Sequence, residues 1–429
     1  MPRHTRRSFL QTTGWTIAGL GLVSAASKAY GANERVNLGV VGLSRGLSLA
    51  EVFNGFDDVR IRYLCDVDQK RLARAREKIK PDEAVTDLRQ ILDDDAVDAI
   101  VIATPDHWHA GAAILACQAG KHVYVEKPCS HNIREGRLMI DAARKHNRVM
   151  QVGTQTRSSE GMAEAVQMLR EGIIGDVLVA KVINSQRRSN IGRGQECDPP
   201  EHLDFDMWIG PAPKVPYRSN YLPYFWHWWY AFGTGDMGND GVHDIDVGLW
   251  GLGVETHPSR VTGCGTKLYF DDDQQFPDTQ YIACEFPGDG QFGSKRMLVF
   301  EQRIWSAYRQ EGFENGNVFY GTKGVMLAGK KDGYQVFGEG NKLLKERKFD
   351  MPSREHQRNF IDAIRSNQPL SADIEVGHRA ATVVHLGNIV ARLGRGLDFD
   401  PATEQIAGDD EANALTRREY RPGHWAAPA

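Results

Sequence analysis

The chain has 429 residues, 41% hydrophobic and 25% charged, a globular composition long enough for more than one core. A formal net charge of −4 offers no basic surface for nucleic acid, which is excluded as a partner. None of the six cysteines stands in C-x-x-C spacing, and His107 and His109 have no third ligand beside them, so no metal is expected.

The first element is an address. Arg6-Arg7 is followed by Phe9 and Leu10, the twin-arginine pattern. A weakly apolar stretch, Trp15 to Ala26, is too short to span a bilayer, and small residues follow up to Gly31. The expectation is a signal peptide over residues 1–31, export to the periplasm in folded form, and no stable membrane anchor.

From Val36 the pattern alternates. Apolar runs at 36–43, 59–67, 99–104, 122–127 and 149–155 predict strands buried on both faces. Between them, 47–56, 68–79, 87–92, 109–119 and 133–146 read as helices. That alternation predicts a parallel sheet with helices on both faces. A helix at 161–174 then leads into closely spaced strands at 177–183, 260–270, 279–286, 296–305, 318–320, 325–327 and 334–337, which suggest an antiparallel sheet. A helix at 236–252 interrupts them, and helices at 355–366 and 377–393 come late, where they could pack back on the first domain.

The turn after the first strand is ambiguous. Gly42-Leu-Ser-Arg-Gly46 fits G-x-S-x-G, the elbow of serine hydrolases, and also a dinucleotide-binding turn with Ser44 in place of the second glycine. A hydrolase elbow normally follows several strands, whereas this turn follows the first. Asp66 ends the second strand 20 residues past Gly46, where an acid would bind the adenosine ribose and repel a 2′-phosphate. The turn is therefore read as NAD-binding, with Ser44 and Arg45 facing phosphate.

Thr104-Pro-Asp-His-Trp-His109 is followed by Ala119-Gly-Lys-His-Val-Tyr-Val-Glu-Lys-Pro128. These blocks resemble the oxidoreductase family named for glucose–fructose oxidoreductase, inositol 2-dehydrogenase and the MocA protein, and so do Asn147–Gln155, Phe319–Gly324 and Asn359–Ile364. The resemblance implies an α/β chain with a Rossmann domain over 35–156. A C-terminal α+β domain over 157–429 would carry a large, mainly antiparallel open sheet, the substrate pocket and a homo-oligomer contact. It implies bound NAD against Gly42, Ser44, Arg45, Gly46, Asp66, Thr104, Pro105, His109, Glu126 and Lys127. It also implies a helical Asp-x-x-x-His motif. Here Asn239 takes the Asp position, His243 matches the His, and Asp246 follows three residues on.

Oxidising a carbinol moves a hydride to nicotinamide and a proton elsewhere. His243 suits the base and Lys127 the cation that stabilises developing alkoxide, with Asp246 orienting a neighbouring hydroxyl. Gln155, Arg157 and the aromatic group Trp226, His227 and Trp228 are expected at the substrate. The function expected is NAD-dependent oxidation of a sugar, polyol or related carbohydrate derivative. Redox-neutral glycoside cleavage by transient oxidation is the alternative, and a binding protein with a vestigial cofactor site is the third.

Overall fold

The structure, a computed structural model, describes residues 35–428 apart from Ala307 and Ser353; the twin-arginine segment lies outside the described residues. Two sheets organise the chain. The first has six parallel strands: β1 (Val36–Val41), β2 (Val59–Cys65), β3 (Glu83–Val85), β4 (Ala99–Ile102), β5 (His122–Val125) and β6 (Met150–Val152). Their order, β3-β2-β1-β4-β5-β6, reverses between β1 and β4, which opens a crevice at the carboxyl ends of those strands. β4 is buried at every residue because helices cover both faces.

The second sheet has ten strands: β7 (Val177–Asn184), β8 (Arg260–Thr266), β9 (Thr279–Phe286), β10 (Arg296–Arg303), β11 (Asn315–Gly321), β12 (Gly324–Gly329), β13 (Gly333–Phe337), β14 (Leu343–Arg347), β15 (Leu397–Asp400) and β16 (Gln405–Ile406). Only β7 and β10 run parallel to each other; the other pairings are antiparallel. The Val242–Leu252 and Ile374–Leu393 helices pack on one face of it. Close approach there depends on Gly251, where a Cβ would stand 2.2 Å from the Phe319 ring.

The strands missed in the sequence are short or polar. β14 reads Leu-Leu-Lys-Glu-Arg and is an edge strand, where charge discourages further pairing. The long late helix begins at Ile374 rather than Gly377, because Asp373 caps it by accepting from the Glu375 N–H at 3.0 Å. The Glu355–Ser366 helix joins the first sheet's core through Phe360 and Ile361, which pack with Phe53 and Tyr124. The last residues also return: Arg418 pairs with Glu135 at 2.8 Å, and Trp425 packs on Trp108.

Candidate active site

A cleft of about 320 Å³ opens at the strand-order reversal of the first sheet and runs toward the second domain. At its first end Gly42 has φ +84°, and a Cβ there would stand 2.6 Å from the Ala103 carbonyl oxygen. Ser44 precedes the Arg45–Asn54 helix without capping it, so its hydroxyl and the first-turn N–H groups remain for an anion. Asp66 is 7% exposed, and its two carboxylate oxygens accept from Leu43 N–H at 2.7 Å and Asp68 N–H at 2.8 Å. Burial pushes its pKa up, against those two bonds. The Thr104 hydroxyl oxygen is buried beside the cleft with no partner.

These residues fit a dinucleotide. A turn that excludes a Cβ, an uncapped helix start, an unpartnered hydroxyl and an acid at the end of β2 are what a pyrophosphate and its ribose require. No histidine is hydrogen-bonded to Ser44 among the described residues. The hydrolase reading of the turn therefore has no base behind it.

The other end is built from side chains. Lys127 and Pro128 follow β5 and are joined by a cis peptide bond. Lys127 Nζ donates to the backbone carbonyl of Asn239 at 2.7 Å, leaving two N–H groups for a ligand. Asn239 lies in a π-helical turn, Met237–Gly241, that leads directly into the Val242–Leu252 helix. Its Nδ2 donates to the Tyr224 hydroxyl at 2.7 Å and to Asp236 at 3.2 Å. His243 lines the same cleft, and its Nδ1 is buried without a partner. Burial holds its pKa well below the usual histidine range, helped by Lys330 and Lys127 and opposed by Asp240. The imidazole is neutral at pH 7.

Behind His243, Lys330 pairs with Asp244 at 2.9 Å and Asp240 at 3.3 Å. Burial of Asp240 works against ionisation, yet the Lys330 ammonium, with Arg188 and Lys127, holds it down at about 2. Asp106, where the family blocks carry Asn, is buried and pushed up to about 7 while accepting from Thr234 Oγ1 at 2.7 Å. Its protonated form can donate a hydrogen bond, as an amide would.

Several expected residues stand elsewhere. Asp246 is fully buried and bound by Arg157 Nε at 2.9 and 2.7 Å; burial raises its pKa, and Arg157 stacks on Trp250. These two satisfy each other away from the cleft, which corrects their expected roles of orienting and binding substrate. Trp228 is 2% exposed and packs with Ile191 and Phe276 instead of lining the cleft. Gly46 packs under the turn against Val40 and Ala103. His109 lies beneath the cleft, its ring nitrogens 2.8 Å from the Pro128 carbonyl and 2.9 Å from that of Thr104. It holds the two cofactor-side loops together without facing a ligand.

Pro105, Arg45, Glu126, Gln155, Trp226 and His227 do line the cleft. Glu126 is engaged by Arg45 Nε at 3.2 Å and Gln155 Nε2 at 3.3 Å, so it organises the wall more than it contacts a ligand. Trp226 stacks on His227 with ring centroids 3.6 Å apart, and burial keeps His227 well below its usual pKa.

Sequence reasoning missed Tyr224 and Arg71. Tyr224 stands two residues before the aromatic group Trp226, His227 and Trp228, but composition does not say which ring faces in. Arg71 lines the cleft near Asp66, 3.6 Å from Asp68. A trio of ligating side chains outside the cleft, His257, His378 and Glu404, also escaped notice. Its carboxylate is already bound by Arg137, so its charge is balanced without a cation.

Residues 36–154 match the model of an oxidoreductase family with an NAD-binding Rossmann fold, and residues 327–426 match that family's C-terminal alpha/beta domain. A glycosyl hydrolase family 109 protein of Shewanella baltica and an alpha-N-acetylgalactosaminidase of Shewanella oneidensis are each 29% identical over 202 residues. Those matches cover 40% of this chain and 44% of each relative, so the alignment spans less than half of either protein. The structure of a levoglucosan dehydrogenase with NADH and levoglucosan superposes with a TM-score of 0.65 at 19% identity, covering 85% of this chain and 99% of that one.

Proposed function

The chain belongs to the Gfo/Idh/MocA oxidoreductase family, and from that premise we propose that it oxidises a carbinol of a sugar, polyol or related carbohydrate derivative with bound NAD. One observation carries the reading: the Lys127 ammonium and the neutral His243 ring, its Nδ1 unpartnered, border the same cleft as the dinucleotide turn.

Gly42, Ser44, Asp66 and Thr104 would hold NAD, which would supply the hydride acceptor. Lys127 stabilises negative charge growing on the substrate oxygen. His243 takes the hydroxyl proton; burial keeps it neutral beforehand, and Asp240 favours the cation once it forms. Asn239 and Tyr224, already hydrogen-bonded to each other, present polar atoms beside both groups. Trp226 and His227 offer a flat apolar wall suited to the C–H face of a sugar ring.

A second reading has specific support. The sequence relatives are named as glycosidases, and redox-neutral cleavage through transient oxidation uses the same first step. Holoenzyme given a sugar panel and matching aryl glycosides separates the two. Accumulating NADH supports net oxidation; released aglycone at constant total NAD supports cleavage. Neither product across the panel overturns the proposal and favours a binding role.

Two further parts are our inference. Export by the twin-arginine route with NAD retained is tested by quantifying nucleotide released from protein recovered from the periplasm. Near-stoichiometric NAD supports retention, and an empty protein that gains and loses NAD within seconds opposes it. Self-association through the open face of the second sheet, where Tyr281 and Tyr320 are exposed, is tested by sedimentation of a Tyr281→Glu/Tyr320→Glu variant. An unchanged mass would remove that face from the contact.

A further inference from the structure

A second cavity, of about 120 Å³, lies away from the cleft. Five segments meet there: the His131-Asn132 turn after Lys127-Pro128, the Tyr230–Thr234 loop, Phe276, one face of the Ile374–Leu393 helix, and the chain near Arg418. Its lining includes Arg392, Arg417 and Arg418 with His131 and His385, and no carboxylate. Glu135, three residues past Asn132, is already engaged by Arg418 Nε at 2.8 Å and the Tyr420 hydroxyl at 2.9 Å.

The deep wall carries polar atoms with nothing to bind. Asn132 is 4% exposed; its Oδ1 caps the Ile133–Lys145 helix, while its Nδ2 has no partner. Arg418 Nη1 is also buried and unpartnered. Leaving a buried donor unsatisfied costs about 1–3 kcal/mol. Two such donors, Asn132 Nδ2 and Arg418 Nη1, at one cavity and at the positive end of a 13-residue helix, make a pair that an anion satisfies and a cation or apolar group does not.

Size narrows the class further. The cavity is well under the roughly 300–1,000 Å³ of sites that enclose drug-sized ligands. A nucleotide or a whole sugar is too large. We propose that this cavity is a binding site for one small tetrahedral oxyanion, phosphate or sulfate, held by Asn132 and Arg418 and drawn in by Arg392 and Arg417 at its mouth.

The position gives the site a link to the chemistry. Thr234 lines this cavity and donates to Asp106, which lines the cleft. Asn388, also on the cavity wall, donates to the Thr234 carbonyl at 2.8 Å.

Isothermal titration of the NAD-loaded full protein tests the proposal, with sodium phosphate, sulfate and acetate each added into a sodium chloride background. Phosphate or sulfate should bind saturably with a stoichiometry near one. The Arg392→Gln/Arg417→Gln variant should keep the unliganded Tm and bind at least tenfold more weakly. No saturable binding, or binding undiminished in the variant, overturns the site, and acetate binding as tightly as phosphate overturns the ligand class. Should the double variant not fold, crystals soaked in selenate give a second reading. Anomalous density beside Asn132 Nδ2 and Arg418 Nη1 supports the site, and a cavity filled by water alone overturns it.

Discussion

The two ends of the cleft are made of different material. The dinucleotide end uses main-chain groups at strand ends and a helix start, around Gly42, Ser44 and Asp66. The reacting end uses the tips of Lys127, Tyr224, Asn239 and His243, with Lys127 brought to Asn239 across 112 residues of chain. A backbone site tolerates many side-chain changes, because its geometry belongs to the sheet. A side-chain site loses function with one atom.

That contrast can be tested in order of expected effect. Lys127→Ala and His243→Ala should each lower kcat by about 10² or more, as loss of an electrostatic or acid–base group does. NAD affinity measured by fluorescence titration should survive His243→Ala, since that residue sits in the second domain. Near-normal turnover in His243→Ala would move the base to another group.

Asn239→Asp should cost about tenfold in kcat, because a carboxylate there meets Asp236 at a position 3.2 Å away and gives up a donor to Tyr224. A gain in turnover would mean the family's acid is still usable here. Asp66→Ser should weaken NAD binding about tenfold and relax discrimination against NADP, the more so with Arg71 nearby. Unaltered protein that binds NADP as tightly as NAD would show that Asp66 does not set the preference.

Acid should act on stability and on turnover together. Burial holds His107 and His385 at about 3 and His356 at about 4, below the unfolded value near 6.5. The unfolded chain therefore binds more protons once pH drops below that value. Stability from these groups is complete above pH 6.5 and is lost as pH falls toward their folded values, by about 1.4 kcal/mol per histidine per pH unit. Thermal melts should fall steeply between pH 6.5 and 5. The acid limb of kcat/KM should lie below the ordinary histidine range, because His243 is also depressed. A limb at 6.5 or above would sink its assignment. The smallest effect belongs to Ser44→Gly, which should change turnover less than about twofold, and both the variant and the unaltered protein should stay unlabelled by a fluorophosphonate.

Legibility in the sequence followed the same division. Strand, glycine turn and the acid 20 residues on are local signals, and the sheet order that makes them a nucleotide crevice follows from alternation. Lys127 came from a block of contiguous residues. Asp246 and Arg157 misled because a spacing of three on a helix says which face a residue shares, not what lies opposite; here each found the other. Tyr224 and Lys330 have no local signature, since their meaning arises only when β12 and the aromatic loop approach the π-helical turn. Trp228 was one of three adjacent aromatics, and only packing separates the ring that faces the cleft from the ring that fills the core.

The returning C-terminal segment has a consequence for how the chain acquires its shape. Gly111 lies so close to Ala426 that a Cβ on it would stand 2.3 Å from the Ala426 carbonyl oxygen, and Phe360 is part of the core beneath Tyr124. The nucleotide domain therefore cannot complete its packing when its own residues leave the ribosome. It must wait for contacts some three hundred residues downstream, so its final closure is a late, long-range event with a high loop entropy cost. Synthesis and closure are uncoupled in time, and a chain arrested before its last residues would present an open, unfinished crevice to the cell.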